Sequence, residues 1–176
     1  AITQGQDVRG VAPHAGVEPG FFDKMTAGEK GYERGVNALL VADDSDIQDV
    51  TDLKGKTVAV SDPAFAMVLV KAFIDMKGGD SSDIKYVIMP PADSYAALMA
   101  GQVDAAHSIE PFTMNYQADG LRNLGWLEAE IFKEGVLMSF MVANNDFIDE
   151  NPETVERFRC AMTEANAFGN THHDEL

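Results

Sequence analysis

The sequence has very little cysteine and comparatively few basic residues. Cys160 is the one cysteine in 176 residues, so no disulfide can form within the chain. Thirteen Lys and Arg residues stand against 29 Asp and Glu, which leaves a formal net charge of −16. Because phosphate backbones are bound by basic patches, this charge argues against nucleic acid as a partner.

Long apolar runs are also missing. No run approaches the roughly 20 residues needed to cross a bilayer. The first ten residues, AITQGQDVRG, lack the basic and apolar regions of a signal peptide, so we expect none in this chain.

The common catalytic motifs are absent as well. The sequence contains no GxSxG, P-loop, GxGxxG or HExxH, and its histidines show no zinc-ligand spacing. Gly55-Lys56-Thr57 resembles the end of a phosphate loop, but the opening glycine of such a loop is missing and Thr57 begins a predicted strand. No nucleophile–base pair is evident. We therefore expect no enzymatic activity, no metal site and no cofactor.

What the sequence does contain is an alternation of short apolar runs and amphipathic helix patterns, which is typical of an α/β fold. Gly16–Gly35 is polar and glycine-rich and is predicted to be a loop. The strands are predicted at Val8–Ala12, Val36–Ala42, Thr57–Ser61, Ile84–Met89, Val103–Ile109 and Val136–Ala143.

Four helix starts follow from side chains suited to capping and from prolines in the first turn. They lie at Asp62-Pro63, Asp93, Glu110-Pro111 and Asn151-Pro152. Helical spacing predicts two apolar faces turned toward a core. The helix after Asp62 carries Phe65, Val68, Leu69, Ala72 and Met76, and the last helix carries Val155, Phe158, Met162, Ala165 and Phe168.

Two lobes are predicted from the order of these elements. Residues 44–138 form one lobe as a βαβαβα unit. Residues 1–43 supply part of the other lobe and a first hinge strand, and residues 139–176 supply a second hinge strand and the return to that lobe.

The helix starts that follow strands are the candidate binding region. In open α/β sheets, ligands bind beyond the carboxyl ends of the strands, where helix N-termini offer unpaired N–H groups. Such junctions occur at Ser61–Ala64, Pro90–Asp93 and Ser108–Pro111. The alternative is that Asp62, Asp93 and Glu110 only cap or charge-complement their own helices.

Four stretches, in collinear order, resemble the type 2 solute-binding proteins of ABC importers, in the branch that handles nitrate, sulfonates, taurine and the pyrimidine precursor of thiamine. They are Asp52–Val60 (DLKGKTVAV), Asp93–Asp104 (DSYAALMAGQVD), Glu110-Pro111-Phe112 and Asn151–Phe158 (NPETVERF). Gln4–Asp7 also fits the family. The resemblance implies a two-lobed α/β fold of the periplasmic-binding-protein type 2 class. Because family members are longer, we expect the first lobe to be truncated here.

The function implied by the resemblance is capture of a small solute in the cleft between two lobes and its delivery to a membrane permease. The implied location is periplasmic or extracellular, with or without a membrane tether. Because the truncated lobe leaves an apolar face uncovered, we expect either a dimer formed through that face or greater mobility of that lobe. The alternatives are the effector-sensing domain of a LysR-type regulator and an enzyme similar to those of thiamine-precursor synthesis.

The ligand-binding residues expected from this fold come mostly from the lobe formed by residues 44–138. They are Ser61, Asp62, Phe65, Ser108, Glu110 and Phe112, with His14 from the other lobe at the end of its first strand. Many relatives that hold anions place glycine, serine or threonine at the helix start where this chain has Ser61-Asp62. A carboxylate there repels an anion from the helix end. We therefore expect a neutral or cationic nitrogen compound such as an aminopyrimidine.

Overall fold

The computed structural model describes residues 7–172, so Gln4–Gln6 of the family-like opening lie outside the described residues. The chain divides into two units. The larger unit comprises residues 20–133, and the smaller one comprises the residues up to Pro19 and from Glu134 onward. Within the described range, no helix combines the length and the apolar character needed to span a membrane.

The regular elements alternate along the chain as an α/β fold requires. The strands are β1 (Val8–Val17), β2 (Asn37–Val41), β3 (Thr57–Val60), β4 (Lys85–Ile88), β5 (Ala105–Ile109), β6 (Arg122–Trp126) and β7 (Val136–Asn144). The α-helices are α1 (Phe21–Thr26), α2 (Phe65–Met76), α3 (Pro91–Met99), α4 (Phe112–Ala118), α5 (Leu127–Ile131), α6 (Asn145–Glu150) and α7 (Pro152–Thr171). Short 3-10 helices occur at Val50–Leu53 and Ser81–Asp83.

A five-stranded mixed sheet with the order β4-β3-β5-β2-β6 forms the centre of the larger unit. Strand β3 runs parallel to β4 and β5, whereas β2 runs antiparallel to β5 and β6. Helices cover both faces of the sheet. Leu39 and Val41 of β2 pack into the core layer that contains α2 and α5, while Ala38 and Leu40 pack into the layer that contains α3. This alternation follows the two-residue period of a strand.

The position of β2 differs from the predicted lobe boundaries. Val36–Ala42 was expected to belong to the first lobe and its hinge, but all five residues of β2 are buried within the sheet of the larger unit. The reason is its pairing: β5 and β6 bond to its two edges. The larger unit therefore runs from 20 to 133 rather than from 44 to 138.

Helix α2 buries a different face from the predicted one. Leu69 is buried as expected, but Phe65, Val68 and Met76 are 47%, 64% and 49% exposed. The sequence FAMVLVKAFIDM is apolar around most of the helix, so helical spacing alone does not single out one stripe. The face that packs against the sheet consists of Ala66, Leu69, Val70, Phe73 and Ile74.

Other differences concern short elements with weak sequence signals. Strand β6 and helices α1, α5 and α6 were not predicted. Helix α3 begins at Pro91 rather than after a cap at Asp93, and Asp93 lies within its first turn. Helix α2 begins at Phe65, three residues after its predicted cap, although Asp62 still bonds to its first turn.

The smaller unit consists of the antiparallel pair β1–β7, with α7 packed on β1 and α6 beside β7. The strands pair from Val8↔Asn144 to Val17↔Val136 with several register shifts. No residue of α7 is buried, so the predicted core face of this helix is not buried in the described residues. An apolar cavity of about 280 Å³ lies in this unit; its lining includes Val11, Met141, Val142, Phe147, Val155 and Phe158.

Candidate functional site

Two strand-to-helix junctions meet at one edge of the five-stranded sheet. The neighbouring parallel strands β3 and β5 both end at this edge, at Val60 and Ile109. Ser61 and Asp62 follow the first strand, and Glu110 follows the second. The structure therefore places Ser61, Asp62 and Glu110 at the same edge of the sheet.

Asp62 uses its carboxylate to bond the first turn of α2. Oδ1 accepts from the backbone N–H groups of Ala64 at 2.9 Å and Phe65 at 2.7 Å, and Oδ2 accepts from that of Ala66 at 3.2 Å. Burial opposes ionisation, but these bonds and the nearby His107 outweigh it, so the pKa of Asp62 lies below its usual value. The start of α2 thus already holds an internal anion.

Glu110 has a similar role at α4 but also has a cationic partner. Its Oε2 accepts from the backbone N–H of Met114 at 3.2 Å. The Arg34 guanidinium lies 3.5 Å from Oε1 and donates to the Gln117 side chain at 3.1 Å. The peptide bond between Glu110 and Pro111 is cis. Arg34 therefore offsets part of the negative charge of Glu110.

Ser61 contacts a buried histidine that sequence reasoning missed. The Ser61 Oγ lies 3.3 Å from His107 Nδ1, and His107 Nε2 lies 2.9 Å from Asn37 Oδ1. His107 is 3% exposed and Asn37 is 1% exposed. Burial lowers the pKa of His107 to about 4, although the Asp62 charge acts in the opposite direction. The imidazole is therefore neutral at physiological pH.

Ser108 lies inside the fold. It is 3% exposed, and its hydroxyl accepts from that of Thr113 at 2.9 Å. The Ser108 hydroxyl therefore connects the end of β5 to α4 through this hydrogen bond and is not accessible at the surface.

The two predicted aromatic residues are accessible. Phe65 is 47% exposed and Phe112 is 45% exposed. Phe112 also stacks on Tyr116, with ring centroids 6.3 Å apart, and Tyr116 stacks on Tyr95 at 4.3 Å. An apolar or ring-shaped ligand therefore has aromatic surface available at Phe65 and at Phe112.

His14 belongs to the smaller unit. It was expected at the end of the first strand, but β1 continues to Val17, and His14 lies at a register shift between Pro13 and Ala15. Its Nδ1 lies 2.9 Å from Ser139 Oγ on β7. Pairing with β7 resumes after this shift and continues to Val17, so the strand extends beyond the predicted end. The role of His14 as a ligand contact stays a prediction.

The Ser61–His107 contact corrects the expectation that the chain has no nucleophile–base pair. Ser61, His107 and Asn37 are arranged like a serine nucleophile, its base and an orienting group. An imidazole with a pKa near 4 is nevertheless a poor general base at neutral pH. The neighbouring Asp62 carboxylate would also repel an oxyanion formed at Ser61. The arrangement thus supports binding better than acyl transfer.

Three residues of this region were missed from the sequence. His107 was visible as a polar residue inside an apolar strand pattern, which is the one available signal. Arg34 and Asn37 gave none, because they reach the edge only through the antiparallel placement of β2. Within residues 7–172, no group of three or more His, Cys, Asp or Glu side chains is arranged to hold a metal ion.

The family model described as NMT1/THI5 like matches residues 25–175. The chain belongs to the NMT1/THI5-like family. A Bacillus subtilis (strain 168) protein, provisionally named an aliphatic sulfonates-binding protein, is 29% identical over 143 residues, which cover 79% of this chain and 41% of that protein. The chain spans 38–42% of the length of the curated relatives it matches.

The structural comparison gives the same family of folds. The periplasmic aliphatic sulphonate binding protein SsuA from Escherichia coli superimposes with a TM-score of 0.72 at 26% identity, covering 99% of this chain and 54% of that one. The predicted α/β fold of the type 2 periplasmic binding class is thereby confirmed. The desulfurization enzyme DSZB, at 18% identity and a TM-score of 0.59, shares the fold alone.

Proposed function

We propose that this NMT1/THI5-like chain is the solute-binding receptor of an ABC import system, which captures a small molecule and delivers it to a membrane permease. A periplasmic or extracellular location belongs to the same proposal. The observation that carries it is the convergence of Ser61, Asp62, Glu110 and two exposed phenylalanines at the carboxyl ends of β3 and β5. This edge is where ligands bind in open α/β sheets.

The ligand we propose is neutral or cationic. The relatives named above carry sulfonate in their names, and an anion would gain about 0.3–1 kcal/mol from a helix N-terminus. In this chain the Asp62 carboxylate occupies that position at α2. Two negative charges about 4 Å apart repel by about 4 kcal/mol near a protein surface. The repulsion exceeds the gain, so nitrogen compounds are favoured over nitrate or sulfonates.

Catalysis is the competing function. The Ser61–His107 contact and the fold shared with a desulfurization enzyme are the two observations that favour catalysis. The low pKa of His107 and the charge of Asp62 oppose it. We therefore propose binding without turnover.

A thermal-shift screen of small metabolites tests binding. A ligand that binds only the folded chain raises its stability by RT ln(1 + [L]/Kd), about 2.7 kcal/mol at a hundredfold excess over Kd. We expect at least one metabolite to stabilise the protein and to be recovered unchanged after prolonged incubation. Its steady conversion would overturn the proposal.

Calorimetry tests the charge of the ligand. We expect 4-aminopyrimidine or a small amidine to bind more tightly than ethanesulfonate, taurine or nitrate. The Asp62→Ser variant removes the carboxylate and should improve binding of the anions, whereas Asp80→Ser, the cap of the 3-10 helix Ser81–Asp83 before β4, serves as the matched control. Tight binding of ethanesulfonate to the unmodified protein would contradict the proposed ligand class.

A further inference from the structure

A row of four polar side chains runs from the interior of the larger unit to the candidate site. Glu128, Asn37 and His107 are 0%, 1% and 3% exposed, and Ser61 is partly exposed at the end of the row. The Asn37 and His107 side chains are joined at 2.9 Å, and those of His107 and Ser61 at 3.3 Å. Buried polar groups of this kind are costly unless their hydrogen bonds are satisfied, so their donors and acceptors are tightly constrained.

The inner end of the row determines which way the Asn37 amide points. The Glu128 carboxylate accepts from the backbone N–H groups of Val36 and Asn37. The structure places Oδ1 of the Asn37 amide, rather than Nδ2, against His107 Nε2 at 2.9 Å, and Nδ2 has no hydrogen-bond partner among the described residues. The Glu128 carboxylate, bonded to the Asn37 backbone N–H, favours this orientation, since a second acceptor oxygen beside it would be repelled.

The orientation of Asn37 in turn sets the tautomer of His107. Since Asn37 Oδ1 can only accept, His107 Nε2 must carry the proton. A neutral imidazole has one donor and one acceptor nitrogen, so Nδ1 is the acceptor. The low pKa of His107 is consistent with this neutral form. Ser61 must then donate its hydroxyl proton to Nδ1.

We propose that Asn37 and His107 hold the Ser61 hydroxyl as a hydrogen-bond acceptor toward the ligand, so that the site selects molecules presenting an N–H or O–H donor at that position. This inference rests on the proposed binding function and makes its ligand class more specific. With its only proton used inward, Ser61 offers lone pairs alone to a bound molecule. The ionised carboxylate of Asp62, the next residue, likewise offers hydrogen-bond acceptors and no donor.

The ligand class follows from this arrangement of acceptors. A primary amine, an amidine or an amino-substituted heterocycle has two or more N–H donors on one group. A sulfonate, nitrate or ketone oxygen has no N–H or O–H donor, so its lone pairs would face those of Ser61 and Asp62. Asn37 and His107 are thus positioning residues, because they act on the ligand through Ser61.

Nitrogen NMR of the ring tests the row without any ligand. Long-range proton–nitrogen spectra of the full chain, labelled at histidine, should show His107 protonated at Nε2 and free at Nδ1. Its ring signals should not titrate between about pH 5.5 and 8, because burial keeps the imidazole neutral over this range. The Asn37→Asp variant keeps an acceptor beside Nε2 and should preserve the tautomer. Protonation at Nδ1 in the unmodified protein would overturn the proposal.

Two matched probes test the consequence for binding. 4-Aminopyrimidine and 4-methylpyrimidine are similar in size, and the second lacks the N–H donors. We expect the amino compound to bind about tenfold more tightly, since an acceptor left unpaired in a site costs roughly 1.4 kcal/mol or more. This ratio should fall toward one in Ser61→Ala and stay unchanged in Ser82→Ala, a control on the 3-10 helix Ser81–Asp83.

The outcomes separate the inference from the proposed function. Equal binding of both probes, or a ratio unaffected by Ser61→Ala, would overturn the selection by Ser61 while leaving solute binding intact. If neither probe binds although the metabolite screen finds a ligand without donors, the ligand class is wrong. If the screen finds no ligand at all, the proposed function fails, and the tautomer still decides whether the row is arranged as inferred.

Discussion

The carboxylate of Asp62 lies 2.7 Å from the backbone nitrogen of Phe65, the first residue of α2. The same side chain also bonds to the N–H groups of Ala64 and Ala66. A residue predicted as a cap or as a ligand contact thus serves at least the first role.

Replacing Asp62 by alanine should lower the free energy of unfolding by about 1 kcal/mol at pH 7, as loss of a helix cap does. The pKa of Asp62 is lowered in the folded state, so its ionised form stabilises the fold above the unfolded pKa near 4. This contribution disappears as the pH falls through the folded pKa. Urea unfolding at several pH values should show the difference between the two proteins shrinking in acid. Asp93→Ala is the control, and equal effects of both variants would contradict the assignment.

Replacing Glu128 by alanine should destabilise the protein more than replacing it by glutamine. Alanine leaves the backbone N–H groups of Val36 and Asn37 without their acceptor, at a cost of about 1–3 kcal/mol for each buried group. Glutamine keeps one carbonyl oxygen. Urea unfolding measures both variants, with exposed Glu164→Gln as a control. Equal losses for alanine and glutamine would speak against this role of the carboxylate.

Glu128 should also make stability depend on pH in the opposite sense to Asp62. Burial raises the pKa of Glu128, although its bonds to Val36 and Asn37 act against the shift. The folded state then binds more protons than the unfolded state between the unfolded pKa, near 4.3, and the raised value. Stability due to this group therefore falls as the pH rises through that window. Glu128→Gln should remove that slope, and an unchanged slope would count against it.

Replacing Arg122 by lysine should loosen the connection between β2 and β3. The guanidinium donates to the backbone carbonyls of Asp43, Ser45 and Ile47, at 3.2, 2.8 and 3.0 Å. A lysine ammonium cannot reproduce this planar fork. We expect a loss of about 1–2 kcal/mol and faster amide exchange over residues 43–47. The exposed Arg157→Lys in α7 should change neither quantity; unaltered exchange in the Arg122 variant would show that the fork is dispensable.

The smaller unit should either dimerise or exchange its amides faster than the larger one. Leu137, Phe140, Phe147 and Phe168 are 57%, 49%, 47% and 45% exposed in it. Exposed apolar surface of this extent favours association, since burial is worth about 25 cal/mol per Å². Light scattering and hydrogen exchange decide between the two outcomes. If a dimer forms, Leu137→Asp should dissociate it and Met76→Asp, on α2, should not. A monomer in which β1 is as protected as β3 would refute the expectation.

Local sequence determined the alternation of strands and helices. It also determined the positions of β3 and β5 and the site junctions at Asp62 and Glu110. Short apolar runs, capping side chains and prolines act within a few residues, so their effect does not depend on the rest of the fold. The resemblance carried by the four collinear stretches also predicted the family and the fold class. These features include the side chains that face a solute in the proposed function.

Long-range pairing decided what the sequence left open. Strand β2 lies in the sheet of the larger unit because β5 and β6 bond to its two edges. No residue within Val36–Ala42 indicates in the sequence which strands these partners are. The same pairing brings Asn37 beside His107, which in turn contacts Ser61. The buried face of α2 was likewise chosen by the sheet, because an almost wholly apolar helix presents several equivalent stripes. Local chemistry specifies an element, but which of its groups become neighbours is a property of the packed chain.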